Sequence, residues 1–553
     1  MDTSNSIVCP LCKDPVSRLV FRYHLDAEKQ VIERIKAHNP GWTSNDGACS
    51  RCVDYYHTEI VMQQRMLPEV GPYFPVKSPD DFIILPTGLR LDADPRFTGK
   101  GITICFIDSG FYLHPDIHAF RDRVKAVIDI TDDTNGREYF MQPHPESWHG
   151  TMTTVVCAGD GICSSGLYKG IACDAELVLL KVQDAQGGIR SEAIEKALQW
   201  ICDHHRAYDI KLVNISLGSD ETIPWRNSAL CRLAELLIEN GVTIIAAAGN
   251  DENRRVTAPA NSPHVITVGG LNDDNLLEPG MATMYHSSYG RTDDGLMKPE
   301  LIAHAIWIAA PILPGTAEKK EAEILHRLLR ADAISLLREI PLLQQEIKTD
   351  CSVFSSKDVT FIREKLVQRI QETKFISPDT MHVDGTSFAA PIVTAVAAQL
   401  LEANPALTPA MISRVLFSTA KRLNNTPVER QGFGRIQPRP SIIQVLKRKS
   451  MLHYLSPCIN SQQGTIEFYV QNDCAQQVSL SGSFNNWVRD ILLMDPGSDG
   501  LWKIEIPMLP PGRYSYKYFV DDKMWMEDVG NPYREPDGFN GFNSILLIAE
   551  KND

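Results

Sequence analysis

A helix built from small residues forms only where other elements pack closely against it, and residues 385–403 call for one. The segment Gly385-Thr386-Ser387-Phe388-Ala389-Ala390-Pro391 runs on through Ala395, Ala397 and Ala398. It sets Ser387 at the first turn, where backbone N–H groups and the positive end of the helix can receive an oxyanion. Pro391 is expected within that first turn, where its missing N–H is not needed. Alone, the segment is only a tightly packed helix; its meaning depends on a base, an acid and an oxyanion donor elsewhere.

All three are present. Residues 101–109, GITICFIDS, form an apolar run ending in Asp108, and residues 241–250, GVTIIAAAGN, form another ending in Asn250. Such runs read as buried parallel strands that deliver polar side chains at their carboxyl ends, where open α/β sheets place their sites. His149 stands in WHGTMTTVVCAGDG, just ahead of a small-residue helix closed by Gly159 and Gly161. A strand-end Asp can be a turn former and a His before a helix can be a cap, but four such coincidences together make a purely structural reading improbable. A serine hydroxyl needs an imidazole to take its proton as it attacks. The imidazole needs a buried carboxylate to fix its tautomer.

These segments resemble the subtilisin-like serine peptidases (subtilases, S8-type). The matching stretches are GKGITICFIDSG (99–110), HGT (149–151), NISLGS (214–219), AAAGN (246–250), KPEL (298–301) and GTSFAAP (385–391). The resemblance runs from about residue 96 to 445 and implies an α/β subtilisin-like core with a mainly parallel sheet. It implies Ser387 as nucleophile, His149 as general base, Asp108 as its orienting carboxylate and Asn250 as oxyanion donor. It also implies that Ser216, Leu217, Gly218, Ala247, Ala248 and Gly249 line the first specificity pocket. Exposed backbone there would add a polypeptide substrate as an extra strand.

The chain carries 55 Lys plus Arg against 69 Asp plus Glu, a net charge of −14. That balance argues against nonspecific binding to nucleic acid or anionic membrane. The segment MDTSNSIVC lacks the regions of a secretory signal, and no apolar run reaches the roughly 18 residues of a membrane span. Thirteen cysteines, several inside apolar stretches (Cys105, Cys157, Cys202), fit reduced thiols. The expectation is a cytoplasmic protein. Roughly 40 residues separate the N-terminal cysteines from the catalytic segment, short of the about 50 a folded pro-domain would need.

Cys9-Pro-Leu-Cys12 and Cys49-Ser-Arg-Cys52 pair as CxxC…CxxC, four thiolates suited to structural Zn²⁺. A helix over Ala27 to His38 is expected between them. Residues 458–550 change to short alternating strands separated by Pro/Gly turns, an all-β, immunoglobulin-like sandwich. SGSFNNW (481–487), GRYSYKYFVDDKMW (512–525) and GFNS (541–544) resemble the glycogen-binding module of the AMP-activated protein kinase β subunit. That resemblance implies Trp487 and Trp525 as stacking rings for an α-glucan, with Lys517 and Asn543 as polar contacts. A protein-docking sandwich with Trp487 in its core is the other reading.

Between KPEL and GTS lies a long insertion whose apolar spacing, over Glu318 to Ile347 and Asp358 to Phe375, predicts two helices packed as a hairpin. It reads as a decoration of one face, or as a lid, exosite or partner sensor. Arg435, Arg439, Lys447, Arg448 and Lys449 read as a solvated linker. Asp132-Asp133 and Asp273-Asp274 are candidates for Ca²⁺ that no spacing assigns. The organisation is therefore a zinc module over 1–60, a linker over 61–95, and a peptidase domain over 96–450 with a helical insertion at about 313–378. The sandwich follows over 458–550. The functional reading is an intracellular serine endopeptidase, targeted or regulated through a glucan- or protein-binding module. The alternative is a noncatalytic scaffold; no paired-carboxylate motif supports a glycan-metabolising enzyme.

Overall fold

The computed structural model describes residues 6–9, 15–17, 29–43, 46, 48, 52, 56, 84–219, 223–277, 282–447 and 456–549. In the N-terminal part, two short strands, Ser6–Val8 and Pro15–Ser17, pair antiparallel, and a helix spans Lys29–His38.

The central domain is a three-layer α/β structure. Its strands and helices are β1 (Thr103–Asp108), β2 (Val124–Asp129), α1 (Ser147–Ala158), β3 (Glu176–Lys181), α2 (Ser191–Tyr208) and β4 (Ile210–Ile215). There follow α3 (Ala229–Glu239), β5 (Thr243–Ala247), β6 (Ile266–Asn272), β7 (Leu301–His304) and β8 (Ile308–Pro311). Seven strands of the sheet run in the order β7-β6-β5-β4-β1-β3-β2, all parallel, and a two-residue strand, Thr283–Met284, adds antiparallel to β6. Both faces are covered, so every residue of β1 is buried and the strand reads as a continuous apolar run. One core packs Leu198, Ile201, Leu230 and Leu237 of α2 and α3 against Ile107, Val213 and Ile244. The other packs α1 and the small-residue helix against Phe106, Leu212 and Ile245.

The insertion contains α4 (Ala317–Arg330), α5 (Ala333–Glu339) and α6 (Val359–Glu372) around its own core of Leu325, Leu328, Leu336, Ile362 and Leu366. The expected first helix is split in two because the Asp332 carboxylate accepts from the Ile334 and Ser335 N–H groups and starts a new helix. The insertion stands on two strands, β8 and β9 (Thr380–Val383), paired antiparallel. Directly after β9 comes α7 (Thr386–Ala403), then α8 (Pro409–Thr419) and α9 (Pro438–Lys447). By length and composition α7 could cross a membrane, but it is mostly buried in the domain core, where its small residues let sheet and helices close in. The expected linker is partly structural. Ile442 and Val445 of α9 are buried, and Arg439 grips Asp92 with two bonds of 2.7 Å. Arg448 and Lys449 lie outside the described residues.

The C-terminal region is two antiparallel sheets over a shared core of Phe468, Leu480, Trp502, Tyr516 and Tyr518. One contains β11 (Thr465–Gln471) and β14 (Leu501–Pro507), flanked by β10 (Cys458–Asn460) and β13 (Asp495–Pro496). The other contains β12 (Val478–Gly482), β15 (Gly512–Val520), β16 (Met524–Met526), β17 (Arg534–Pro536) and β18 (Phe542–Ile548). It is tied to the central domain by Arg534, which packs over the rings of Phe433 and Phe542 and donates to the Met297 carbonyl at 2.8 Å. Its guanidinium is 3.4 Å from Glu300, which also holds Lys298 at 3.1 Å. Breaking such a buried group by removing one partner is strongly destabilising, so the two domains meet at a fixed interface.

Candidate active site

Asp108, Ser216 and Asn250 reach one locality because β1, β4 and β5 are adjacent parallel strands that end together. Asp108 closes β1 with 1% of its surface exposed. Oδ1 accepts from the Ser109 N–H at 2.7 Å, and Oδ2 accepts from the Thr153 hydroxyl at 3.0 Å. His149 Nδ1 lies 2.6 Å from Oδ1. The histidine is inside the first turn of α1 rather than ahead of the helix, as the sequence had suggested, because α1 begins at Ser147. Gly150 makes this approach feasible, since a Cβ there would come 2.2 Å from the Gly110 carbonyl. Burial pulls the His149 imidazole down, but the charge and hydrogen bond of Asp108 outweigh it, and the group sits above the ordinary histidine value.

Ser387 lies in the first turn of α7, where its N–H has no intrahelical acceptor. Pro391 is not in that turn but further along, and this changes its role. A proline removes the bond to the carbonyl four residues back, here that of Ser387. The freed carbonyl accepts from Ser216 Oγ at 2.8 Å. Ser216 is itself held by Asn214 Nδ2 at 2.9 Å, and Asn214 Oδ1 accepts from the Thr394 hydroxyl at 3.1 Å. Ser387 Oγ donates back to the Ser216 carbonyl at 3.1 Å.

Asn250 Oδ1 accepts from both the N–H and the hydroxyl of Thr386, each at 2.9 Å. A backbone N–H can only donate, so this fixes the amide orientation and leaves Nδ2 as the outward donor. Gly385, at φ 137°, occupies backbone space that favours glycine and turns the chain into the helix. The residues implied for the first pocket, Ser216-Leu217-Gly218 and Ala247-Ala248-Gly249, lie side by side, the first three just beyond β4 and the others at and beyond the end of β5. Ser216 is buried and its hydroxyl donates to the Ser387 carbonyl, so its side chain is not open to a pocket. Asn214, Thr153 and Thr394 were not singled out from sequence; short polar residues within apolar runs are the signal that could have found them. The insertion also reaches the site. Lys374 pairs with Asp384, whose Oδ1 receives the Trp307 N–H at 3.4 Å, just before Gly385.

Cys9 and Cys52 are buried with their sulfurs 3.8 Å apart; Cys12 and Cys49 lie outside the described residues. Asp273, a calcium candidate, instead receives Arg90 through Nε at 2.8 Å and Nη2 at 2.5 Å. Asp132 caps its own turn by accepting from the N–H and hydroxyl of Thr134.

On the C-terminal region, Tyr516 and Tyr518 face the shared core, while Lys517 and Phe519, also buried, alternate with them along β15 on the opposite face of the sheet. Trp525 is directly opposite Phe519. Asn543 alternates with Ser544, the partner of Tyr516, and so shares the face of Lys517. Trp487 meets Trp525 edge-on at 5.9 Å and 79° rather than side by side, at φ 61°. Lys517 is nearly buried and paired with Asp537. Asp537 also shapes a turn whose Phe539, passed over in the sequence reading, is 90% exposed.

The glycogen recognition site model of AMP-activated protein kinase matches residues 467–552, and the subtilase family model matches residues 99–434. The serine protease AprX of Bacillus subtilis (strain 168) is 25% identical over 353 residues, covering 62% of this chain and 67% of that protein. Subtilisin-like protease 1 of Trichophyton equinum is 30% identical over 182 residues, and the chain spans 32% of its length and 32% of its own. Among solved structures, fervidolysin from Fervidobacterium pennivorans, a keratinolytic enzyme related to subtilisin, has a TM-score of 0.46. It is 17% identical and covers 79% of this chain and 55% of that one. With more than half its length matched, the chain belongs to the subtilase family of subtilisin-like serine endopeptidases.

Proposed function

We propose that this chain hydrolyses peptide bonds within polypeptides through Asp108, His149 and Ser387, inside the cell. The observation that carries the reading is the 2.6 Å contact of His149 with a buried carboxylate beside a serine at the start of a buried helix. Ser387 Oγ attacks the carbonyl carbon as His149 Nε2 takes its proton, and the imidazole gives that proton to the leaving amine as the C–N bond breaks, leaving an acyl ester on Ser387. Water, deprotonated by His149, then attacks the ester, and Ser387 Oγ leaves with the proton as the acid is released. The Ser387 N–H and Asn250 Nδ2 receive the oxyanion. Labelling by a fluorophosphonate probe tests this: wild type should label and Ser387→Ala should not. A well-folded wild type that stays unlabelled, with and without glycogen, would favour a noncatalytic scaffold.

Asn250→Ala should lower kcat by about 100- to 1000-fold, since an oxyanion donor contributes about 2.7–4 kcal/mol to barrier reduction. Steady-state kinetics on one peptide would check it, and unchanged turnover would remove Asn250 from the role.

The zinc reading draws on the cysteines. A tetrahedral site with Zn–S of about 2.3 Å has sulfurs about 3.8 Å apart, and Cys9 and Cys52 stand at 3.8 Å. Cys9, Cys12, Cys49 and Cys52 would hold one structural Zn²⁺ that supplies folding energy and no open coordination position. Elemental analysis should give one zinc per chain and far less in Cys52→Ser. Metal-free protein purified under reducing conditions would end the proposal.

The outward face carrying Trp487, Lys517, Trp525 and Asn543 supports α-glucan binding, with ring faces against sugar faces and amide and ammonium groups to hydroxyls. Trp525→Ala should weaken retention on glycogen about tenfold or more, since burying a large apolar side chain contributes about 1.5–3 kcal/mol. Equal retention would favour a protein partner on this face.

A further inference from the structure

Trp148 precedes the candidate general base by one residue, and 49% of its surface is exposed. Its ring meets the imidazole edge-on, with centroids 5.2 Å apart and planes at 87°. Single exposed apolar residues are ordinary, but the chain on both sides of this one is held in place. Ser147 Oγ donates to the Phe111 carbonyl at 3.1 Å and accepts the His144 N–H at 3.1 Å. The Glu146 carbonyl accepts from Ser109 Oγ at 2.9 Å, and its carboxylate accepts from the Tyr139 hydroxyl at 2.5 Å. Tyr139 in turn stacks on His144 at 3.8 Å and 4°. An open indole is thus presented at a fixed position, the arrangement that a preorganised subsite requires.

We propose that Trp148 is a specificity-determining wall of the substrate cleft. It receives an apolar side chain, aromatic or branched aliphatic, at a position flanking the scissile bond other than the one that enters the first pocket. This rests on the peptidase reading above. A peptide whose carbonyl is held at Ser387 and Asn250, with its leaving amine facing His149, carries its chain across the imidazole. A neighbouring side chain then meets the indole, and apolar contact there excludes water from both surfaces. Pockets of this type discriminate by about 10–200-fold between side chains of different apolar bulk.

The test uses the full chain and internally quenched peptides that vary one flanking position at a time. In wild type, one position should favour Phe or Leu over Gly by about tenfold or more in kcat/KM. Trp148→Ala should bring that ratio to within about twofold of unity, while Trp148→Phe should keep most of it. Fluorophosphonate labelling of each variant reports whether its site is assembled, and if the alanine variant's is not, Trp148→Gln, which keeps bulk but lacks the apolar ring and should lose the ratio, decides the matter. A labelled, peptide-cleaving Trp148→Ala with the wild-type ratio overturns the role of Trp148 alone, as does a wild type with no apolar preference at any flanking position. A wild type that neither labels nor cleaves overturns the peptidase reading and this inference together.

Discussion

Ser387→Ala is expected to lower kcat by about a millionfold while KM stays close to wild type, the magnitude known for subtilisin's own nucleophile rather than one read from this chain. The change removes the attacking oxygen and, with it, the bond to the Ser216 carbonyl. It leaves the helix intact, because the contact that anchors α7 here runs the other way, from Ser216 Oγ to the Ser387 carbonyl. Folding should therefore survive and turnover should not. The residual rate, about 10³–10⁴ over water, would come from the oxyanion donors and binding alone. Single-turnover assays with active-site titration would separate this from contamination. A fall of less than tenfold would show that another group attacks.

Asp108→Asn is expected to reduce kcat by about 10⁴, because an amide cannot hold His149 in the tautomer that leaves Nε2 free to accept a proton. Its pH profile carries a second signature. Burial lowers the imidazole's affinity for a proton, and Asp108 more than compensates. Wild-type kcat/KM should thus rise with pH through an apparent pKa above the ordinary value of about 6.5. In the variant the rising limb should move to lower pH. The linkage to stability runs in the opposite direction. A group whose folded pKa is raised stabilises the fold fully below its unfolded value, and that stabilisation is lost as pH rises through the folded value. Activity should therefore grow over the window in which this increment of stability is lost, measurable by thermal unfolding of wild type against Asp108→Asn. A profile that does not move would detach Asp108 from the imidazole.

The parallel strands were legible because burial on both faces forces continuous apolar runs, and the strands ending in Asp108 and near Asn250 advertise themselves by switching to polar residues at their carboxyl ends. The first helix of the insertion was misread because its apolar spacing continues across Asp332, where a side-chain bond to two N–H groups ends one helix and begins another. Residue order around Pro391 fits a first-turn proline, since the sequence does not show where a helix begins; in the structure it lies inside α7 and frees the Ser387 carbonyl.

What the sequence by itself determined is the chemistry of each segment: a serine before small residues, an imidazole, a carboxylate and an amide at or just beyond strand ends, paired thiols, and alternating aromatic strands. These are local, because residue type and spacing decide periodicity and capping. Tertiary structure alone decided that Ser216 and Ser387 exchange hydrogen bonds, that Arg534 clamps the C-terminal sheets onto Glu300, and that Trp148 stays exposed against the imidazole. Each joins groups distant in the chain or depends on what fails to cover a side chain, and solvent exposure is a property of the packed whole.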